Sequence, residues 1–345
     1  MRLLGLALGL AACAGAAGAP PASAGRALAS MPAPCGGQTP RVVDICFVTV
    51  DASPSMRPED WGGEPPYPPE AMTVAVEAHC PVRGGDFRPA TTWRLQTEEL
   101  SGDSCATSGL NLLLVPAPDT RTLRYASLTV GTLIRAHDER PPAPPVLTPP
   151  FNVARVPAWR RPERSPTEED FGEPFAPPLE LRTFRPGEVT RAGDVLALEA
   201  VAVLGRDEAP TLVSRLTFAG RRALLIGRLD EASQRMLVRE RCGEGGGPCE
   251  ALRADVLQHP SSCLALPSPE LLDAVRPSWV VLHEGDSMLG QPSCPGRAAA
   301  RARVEAAGAR WVSTAAFDGS ARTVASMEVD PSDPERTLRV FGTFD

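Results

Sequence analysis

Residues Leu252 to Val281 read LRADVLQHPSSCLALPSPELLDAVRPSWVV, and the fold turns on how this stretch is read. The short apolar run from Ala254 to Leu257 predicts a buried strand. Ser268-Pro269-Glu270 predicts a helix start. The serine hydroxyl can accept from free N–H groups, proline suits the first helical position, and the acid suits the positive end of the helix. Leu271, Leu272 and Val275 supply an apolar stripe. Arg276-Pro277 ends the helix, because the residue before a proline is pushed out of the helical region. Trp279 to Leu282 predicts a second buried strand. The loop between, Gln258 to Pro267, is longer than a minimal connection and lies where an enzyme would keep its chemistry.

The stretch resembles the metallo-β-lactamase fold, in the version appended to bacterial DNA-uptake channels (ComEC-like competence proteins). That family follows an ADVL strand with a loop of the form K-V/L-x-H-H-G-S and then SPELLDAVRP. Here the flanking pieces match, but the loop reads Gln258-His259-Pro260-Ser261-Ser262-Cys263. The pattern continues upstream in GDVLALEAVAVL, from Gly193 to Leu204, which predicts a strand pair beginning at Glu188. A hairpin follows, with Thr211 to Phe218 as one strand and Arg222 to Ile226 as the other. Downstream, Arg297 to Ala307 predicts a helix closed by Gly308, and Ala309 to Val312 a strand. The resemblance implies an α+β fold: an αββα sandwich of two packed β-sheets flanked by helices, with a degenerate metal site.

That degeneracy is read residue by residue. Where the family has Gly-Asp-Leu, with an aspartate that bridges two metals, this chain has Gly227-Arg228-Leu229, a permanent cation in place of an anion. Where the family has H-x-H-x-D-H, it has His137-Asp138-Glu139-Arg140-Pro141-Pro142, and proline offers no ligand atom. Gln291 stands where the family's G-H-P-H-P has a ligand histidine. The resemblance therefore makes His137, Glu139, Arg228, His259 and Gln291 vestigial metal-site positions. A binuclear site needs roughly five or more converging His and Asp side chains, and this chain has only four histidines: His79, His137, His259 and His283. No catalytic residue is assigned; no G-x-S-x-G elbow is present. The expectation is a protein with no cofactor, zinc entering only if the chain is instead an active hydrolase.

The first residues give a compartment. Met1-Arg2 precedes the apolar run LLGLALGLAA, too short to span a membrane as a permanent helix. Leu10-Ala11-Ala12-Cys13 looks like a lipobox, so residues 1–13 are expected to be a signal peptide, with Cys13 the lipidated residue. A second cleavage site lies after Ala22-Ser23-Ala24; either places the chain outside the cytoplasm. Residues 14–40 read as a Pro/Gly-rich tether and 41–345 as the folded domain. The chain has nine cysteines, and removing Cys13 leaves an even eight, suited to disulfides in an oxidising compartment. Cys242 and Cys249 flank GEGGGP, a loop flexible and short enough to close. Cys263 and Cys294 lie on loops that both line the metal site in the resembled fold, which makes them a second candidate pair.

The part from 41 to 120 matches the resemblance poorly. Its apolar runs (Val42 to Val50, Met72 to Val76, Thr92 to Leu95, Leu110 to Val115) read as strands between Pro/Gly loops. Asp51, Ser53 and Ser55 form a D-x-S-x-S sequence, the pattern of cation-dependent adhesion domains, whose oxygens would suit Mg²⁺. A net charge of -7 argues against binding a phosphate backbone, so no nucleic-acid partner is expected. Three functions remain. The first is a catalytically inactive metallo-β-lactamase-fold lipoprotein, acting as a binding or scaffold protein. It would be anchored in the periplasm or at the cell surface, with a membrane and an envelope protein as partners. The second is a metal-dependent hydrolase, phosphoesterase- or nuclease-like, with a non-standard site. The third is a β-rich, cation-dependent adhesion module in the N-terminal part.

Overall fold

The structure is a computed structural model, and it describes residues 33–50, 71–80, 93–97, 111–118, 145–151, 181–205, 210–244, 247–260, 265–282, 296–316, 322–333 and 335–341. Two sheets carry it. The second sheet holds β7 (Val189–Ala192), β8 (Leu196–Leu204), β9 (Thr211–Phe218), β10 (Arg221–Leu225), β11 (Val256–His259), β12 (Trp279–Leu282) and β13 (Arg310–Ser313), in the order β13-β12-β11-β10-β9-β8-β7. From β7 to β10 it is an antiparallel meander. From β10 to β13 it is parallel, and each crossover carries a helix. These are α1 (Glu231–Cys242), α2 (Pro269–Val275) and α3 (Arg297–Ala306). A strand that returns parallel needs such a connection.

The first sheet holds β1 (Val42–Val50), β2 (Ala71–His79), β3 (Trp93–Thr97), β4 (Leu112–Leu114), β5 (Val146–Thr148), β6 (Leu181–Thr183), β14 (Ala315–Ala316) and β15 (Arg322–Val329). Their order is β14-β15-β1-β2-β3-β4-β5-β6, and β16 (Arg339–Phe341) pairs with β15. β1 lies against β15 from Val43↔Val329 to Val50↔Arg322, so the first and last long strands among the described residues share one ladder.

Strand alternation explains the layering. Val43, Ile45 and Phe47 of β1, with Val74, Val76 and Ala78 of β2, meet Leu196, Leu198, Leu212, Leu216 and Phe218 of the second sheet in one core. The intervening residues of the second sheet point the other way. Val213, Leu224, Leu257, Val280 and Leu282 pack against Leu237, Val238, Leu271, Leu272, Ala300 and Val304 of the helices. Both faces of β11 and β12 are thus covered, and all four residues of each strand are buried. That is why they read as unbroken apolar runs rather than alternating ones. The expected α+β sandwich is the observed one.

Local chemistry sets the ends. Ala219 and Gly220 both have positive φ (46° and 82°), the conformation a two-residue hairpin needs to match strand twist. Asp230 caps α1 by accepting from Ser233 N at 2.7 Å, and Ser268 caps α2 by accepting from Leu271 N at 3.1 Å. Arg276 closes α2 in the left-handed region (φ 47°), one residue before Pro277. The end of β11 differs from the sequence expectation. β11 runs on through Gln258 and His259, which the sequence placed in a loop, because pairing with β12 continues to His259↔Leu282.

Disulfides join Cys35 to Cys80 and Cys242 to Cys249, and Cys46 is also disulfide-bonded. They fit an oxidising, exported setting. No helix among the described residues is long and apolar enough to cross a membrane.

Candidate functional site

In a parallel sheet with helical crossovers, ligands bind beyond the carboxyl ends of the strands. Here those ends carry Gly227-Arg228 after β10 and Gln258-His259 at the close of β11. Gln258 is buried, and its Oε1 accepts from Ile226 N at 3.0 Å and Gly227 N at 3.1 Å. It thereby ties the end of β10 to β11.

His259 is fully buried. Its Nδ1 lies 2.7 Å from the Pro260 carbonyl oxygen, and its Nε2 lies 3.1 Å from Gln234 Nε2. The Gln234 amide is oriented by its other contacts: Oε1 accepts from Ser268 N at 2.8 Å, and Nε2 donates to Leu229 O at 3.1 Å. A carbonyl accepts only, and this amide nitrogen donates only. Nδ1 therefore carries the proton and Nε2 accepts. Burial, the dominant cause, pushes the imidazole pKa down to about 4, while the backbone carbonyls of Pro260 and Leu266 pull weakly the other way. The ring is neutral at ordinary pH and both of its nitrogens are committed.

Gln234 escaped the sequence reading. The signal was there: Gln234, Leu237 and Val238 are the buried residues of α1, at i, i+3 and i+4, so a polar residue occupies the core stripe. Arg228 is half-buried beside this network. Its neighbour Asp230 is taken up by the α1 cap, and the hydrogen bonds from Ser233 hold its carboxyl below the ordinary carboxylate range.

The resembled fold would place metal ions at these strand ends, and the described residues do not suit them. His259 has no lone pair to spare, and Arg228 is a cation where a bridging anion would stand. His137, Glu139, Gln291, Cys13, Cys263 and Cys294 lie outside the described residues, as does the stretch with Asp51, Ser53 and Ser55.

The expectation that the chain takes no cofactor is corrected by the first sheet. Asp44 on β1 and Glu77 and His79 on β2 bring one oxygen, one oxygen and one ring nitrogen within 4.8 Å of one another, a set able to hold a metal ion. His79 Nε2 and Asp44 Oδ2 are 3.0 Å apart. The Asp44 hydrogen bond, more than any other cause, raises the His79 pKa above its ordinary value. Partial burial opposes it, and the charges of Asp44, Glu77 and Glu328 add to it. Sequence reasoning missed the set because its members lie on two strands whose register was unknown. Asp44 fell inside the expected Val42–Val50 strand, but Glu77 and His79 lay beyond the expected Met72–Val76 run, which β2 extends to His79.

No protein-family model matches the chain, and no curated protein matches it significantly. Among solved structures it is similar to the short form of human tRNase Z, at 13% identity and a TM-score of 0.38, over 69% of this chain and 91% of that one. It is similar to CmlA, a diiron β-hydroxylase from Streptomyces venezuelae, at 14% identity and a TM-score of 0.42, over 72% of this chain. The match spans about half of CmlA (52%). It is also similar to YhfI, a metallo-β-lactamase fold protein from Bacillus subtilis, at 9% identity and a TM-score of 0.37, over 69% of this chain and 85% of that one. The sandwich itself rests on strand order and core packing.

Proposed function

We propose that the chain is a catalytically inactive, metallo-β-lactamase-like protein of the cell envelope that acts by binding or scaffolding, exported and held to a membrane by a lipid on Cys13. One observation carries the reading: His259, at the strand ends where the resembled family does its chemistry, has both ring nitrogens engaged inside the core. A histidine so held neither ligates a metal nor shuttles a proton at neutral pH. Arg228 beside it supports the same reading, and the disulfides support export. The partner is an envelope protein rather than a nucleic acid, in keeping with the net charge of -7.

The test is turnover of a chromogenic phosphodiester and of a β-lactam by the full chain, with Zn²⁺ or Mn²⁺ added. The expected rate equals that of metal and buffer alone. Metal-dependent turnover that disappears in His137→Ala or His259→Ala would sink the reading. The Asp44–Glu77–His79 set favours a second one, a metal-dependent hydrolase with a non-standard site. That reading predicts turnover lost in Asp44→Asn and kept in His259→Ala. Anchoring is checked separately: the wild-type chain partitions into detergent after export, and Cys13→Ala stays in the aqueous phase.

A further inference from the structure

We propose that Asp44, Glu77 and His79 form a binding site for one divalent transition-metal ion of the Zn²⁺ class, on the outer face of the first sheet, where the ion fastens β1 to β2. The site is independent of the strand-end positions in the second sheet and of whether the chain has any catalytic activity.

The geometry comes from register. Asp44 pairs directly with Glu77 and Val42 with His79, so the three polar residues share the face opposite the apolar core. Ligands of a zinc-sized ion at about 2.0–2.2 Å stand roughly 3.3–3.6 Å from one another. The three ligand atoms here lie within 4.8 Å of each other, and the His79–Asp44 pair is already at 3.0 Å.

Charge gives the reason for an ion. Like charges directly opposite across a ladder destabilise it, yet Asp44 faces Glu77 on one side and Glu328 on the other. Glu77, directly opposite Asp44 in the ladder, is only 5% exposed. Arg94 and Arg339 stand at the two ends of this row, opposite Glu77 and Glu328. At its centre, the cationic side chain that Asp44 meets among the described residues is His79. A proton on His79 supplies one positive charge; a divalent ion in its place supplies two and uses the imidazole as a ligand.

The donors decide the class. One imidazole nitrogen and two carboxylate oxygens are too few oxygens for Ca²⁺ and lack the thiolate that selects Cu(I); they suit Zn²⁺ and its first-row neighbours. The site is braced and open. Cys80, next to His79, is bonded to Cys35, and Arg41 N donates to His79 O at 2.7 Å. The His79 side chain is 40% exposed, giving an ion a way in.

The test uses the full chain after chelator treatment, titrated with Zn²⁺ by calorimetry and with Co²⁺ by visible absorption. The expected result is one ion per chain, d–d bands of a nitrogen/oxygen site, and a thermal midpoint that rises by several degrees. Asp44→Asn and His79→Gln should each weaken binding by at least about tenfold while far-ultraviolet circular dichroism stays that of the wild type. His137→Ala/Glu139→Gln should bind as the wild type does. Failure to bind one equivalent, or unchanged binding in both Asp44→Asn and His79→Gln, overturns the site. If either variant misfolds, Glu77→Gln is titrated instead, and undiminished binding there counts against the site equally.

Discussion

Two histidines at strand ends, one in each sheet, have opposite surroundings. His259 ends β11 among neutral partners, an amide and a carbonyl, and is pushed toward the uncharged form. His79 ends β2 among carboxylates and is drawn toward the charged form. The same side chain is a core fastener in one sheet and a ligand candidate in the other. Burial with satisfied hydrogen bonds removes its chemistry; burial beside surplus charge supplies it.

Four measurements would break or sharpen that contrast, the largest effect first. The disulfides differ as the histidines do: Cys35–Cys80, beside His79, spans 45 residues, and Cys242–Cys249 spans 7. Loop-closure entropy predicts that Cys35→Ser/Cys80→Ser costs about 4 kcal/mol and Cys242→Ser/Cys249→Ser about 2.5 kcal/mol. Urea denaturation of the two double variants checks the order, and equal losses would remove the basis for it.

Gln234→Leu should cost about 3 kcal/mol. It leaves His259 Nε2, Leu229 O and Ser268 N buried with a partner missing from each. A shift of the urea midpoint at unchanged slope is the readout. A neutral result would mean that water enters to replace the amide.

Acid probes the same network. His259 titrates near 4 in the folded chain and near 6.5 when unfolded. Between those values the unfolded chain holds the extra proton, so stability is full above pH 6.5 and falls as pH drops toward 4. The total loss from this group is about 3 kcal/mol. His79 runs the other way. Its contribution is complete below pH 6.5 and is lost as pH rises through its raised folded value, and exposure keeps it small. Stability curves of the wild type and His259→Gln from pH 7 to 4 should therefore converge on the acid side. Parallel curves would show that His259 is not the titrating group.

The smallest effect is at the α2 cap. Ser268→Ala removes the acceptor for Leu271 N and should cost about 1 kcal/mol, visible as a small drop in thermal midpoint. A loss of several kcal/mol would mean that the Ser268 backbone contact to Gln234 depends on the cap.

How far the sequence could be read differs between the sheets for a physical reason. Ser268-Pro269 announced α2, and the apolar runs announced β11 and β12, because capping and periodicity are local. His259 was placed in a loop because the apolar run ends at Leu257, and only pairing with Leu282 on β12 holds it in the strand. Gln234 is turned inward only because α1 packs on the sheet. Asp44 and His79 were ordinary surface residues until β1 and β2 took their register.

From the chain alone come strands of the second sheet, the helix starts and the Cys242–Cys249 pair. These depend on residues near one another in sequence, where steric preference and side-chain period act directly. Which histidine is spent and which is available was decided only by the sandwich. Two sheets and their helices set how much water each imidazole loses and which charges it meets, and both are sums over residues far apart in the chain.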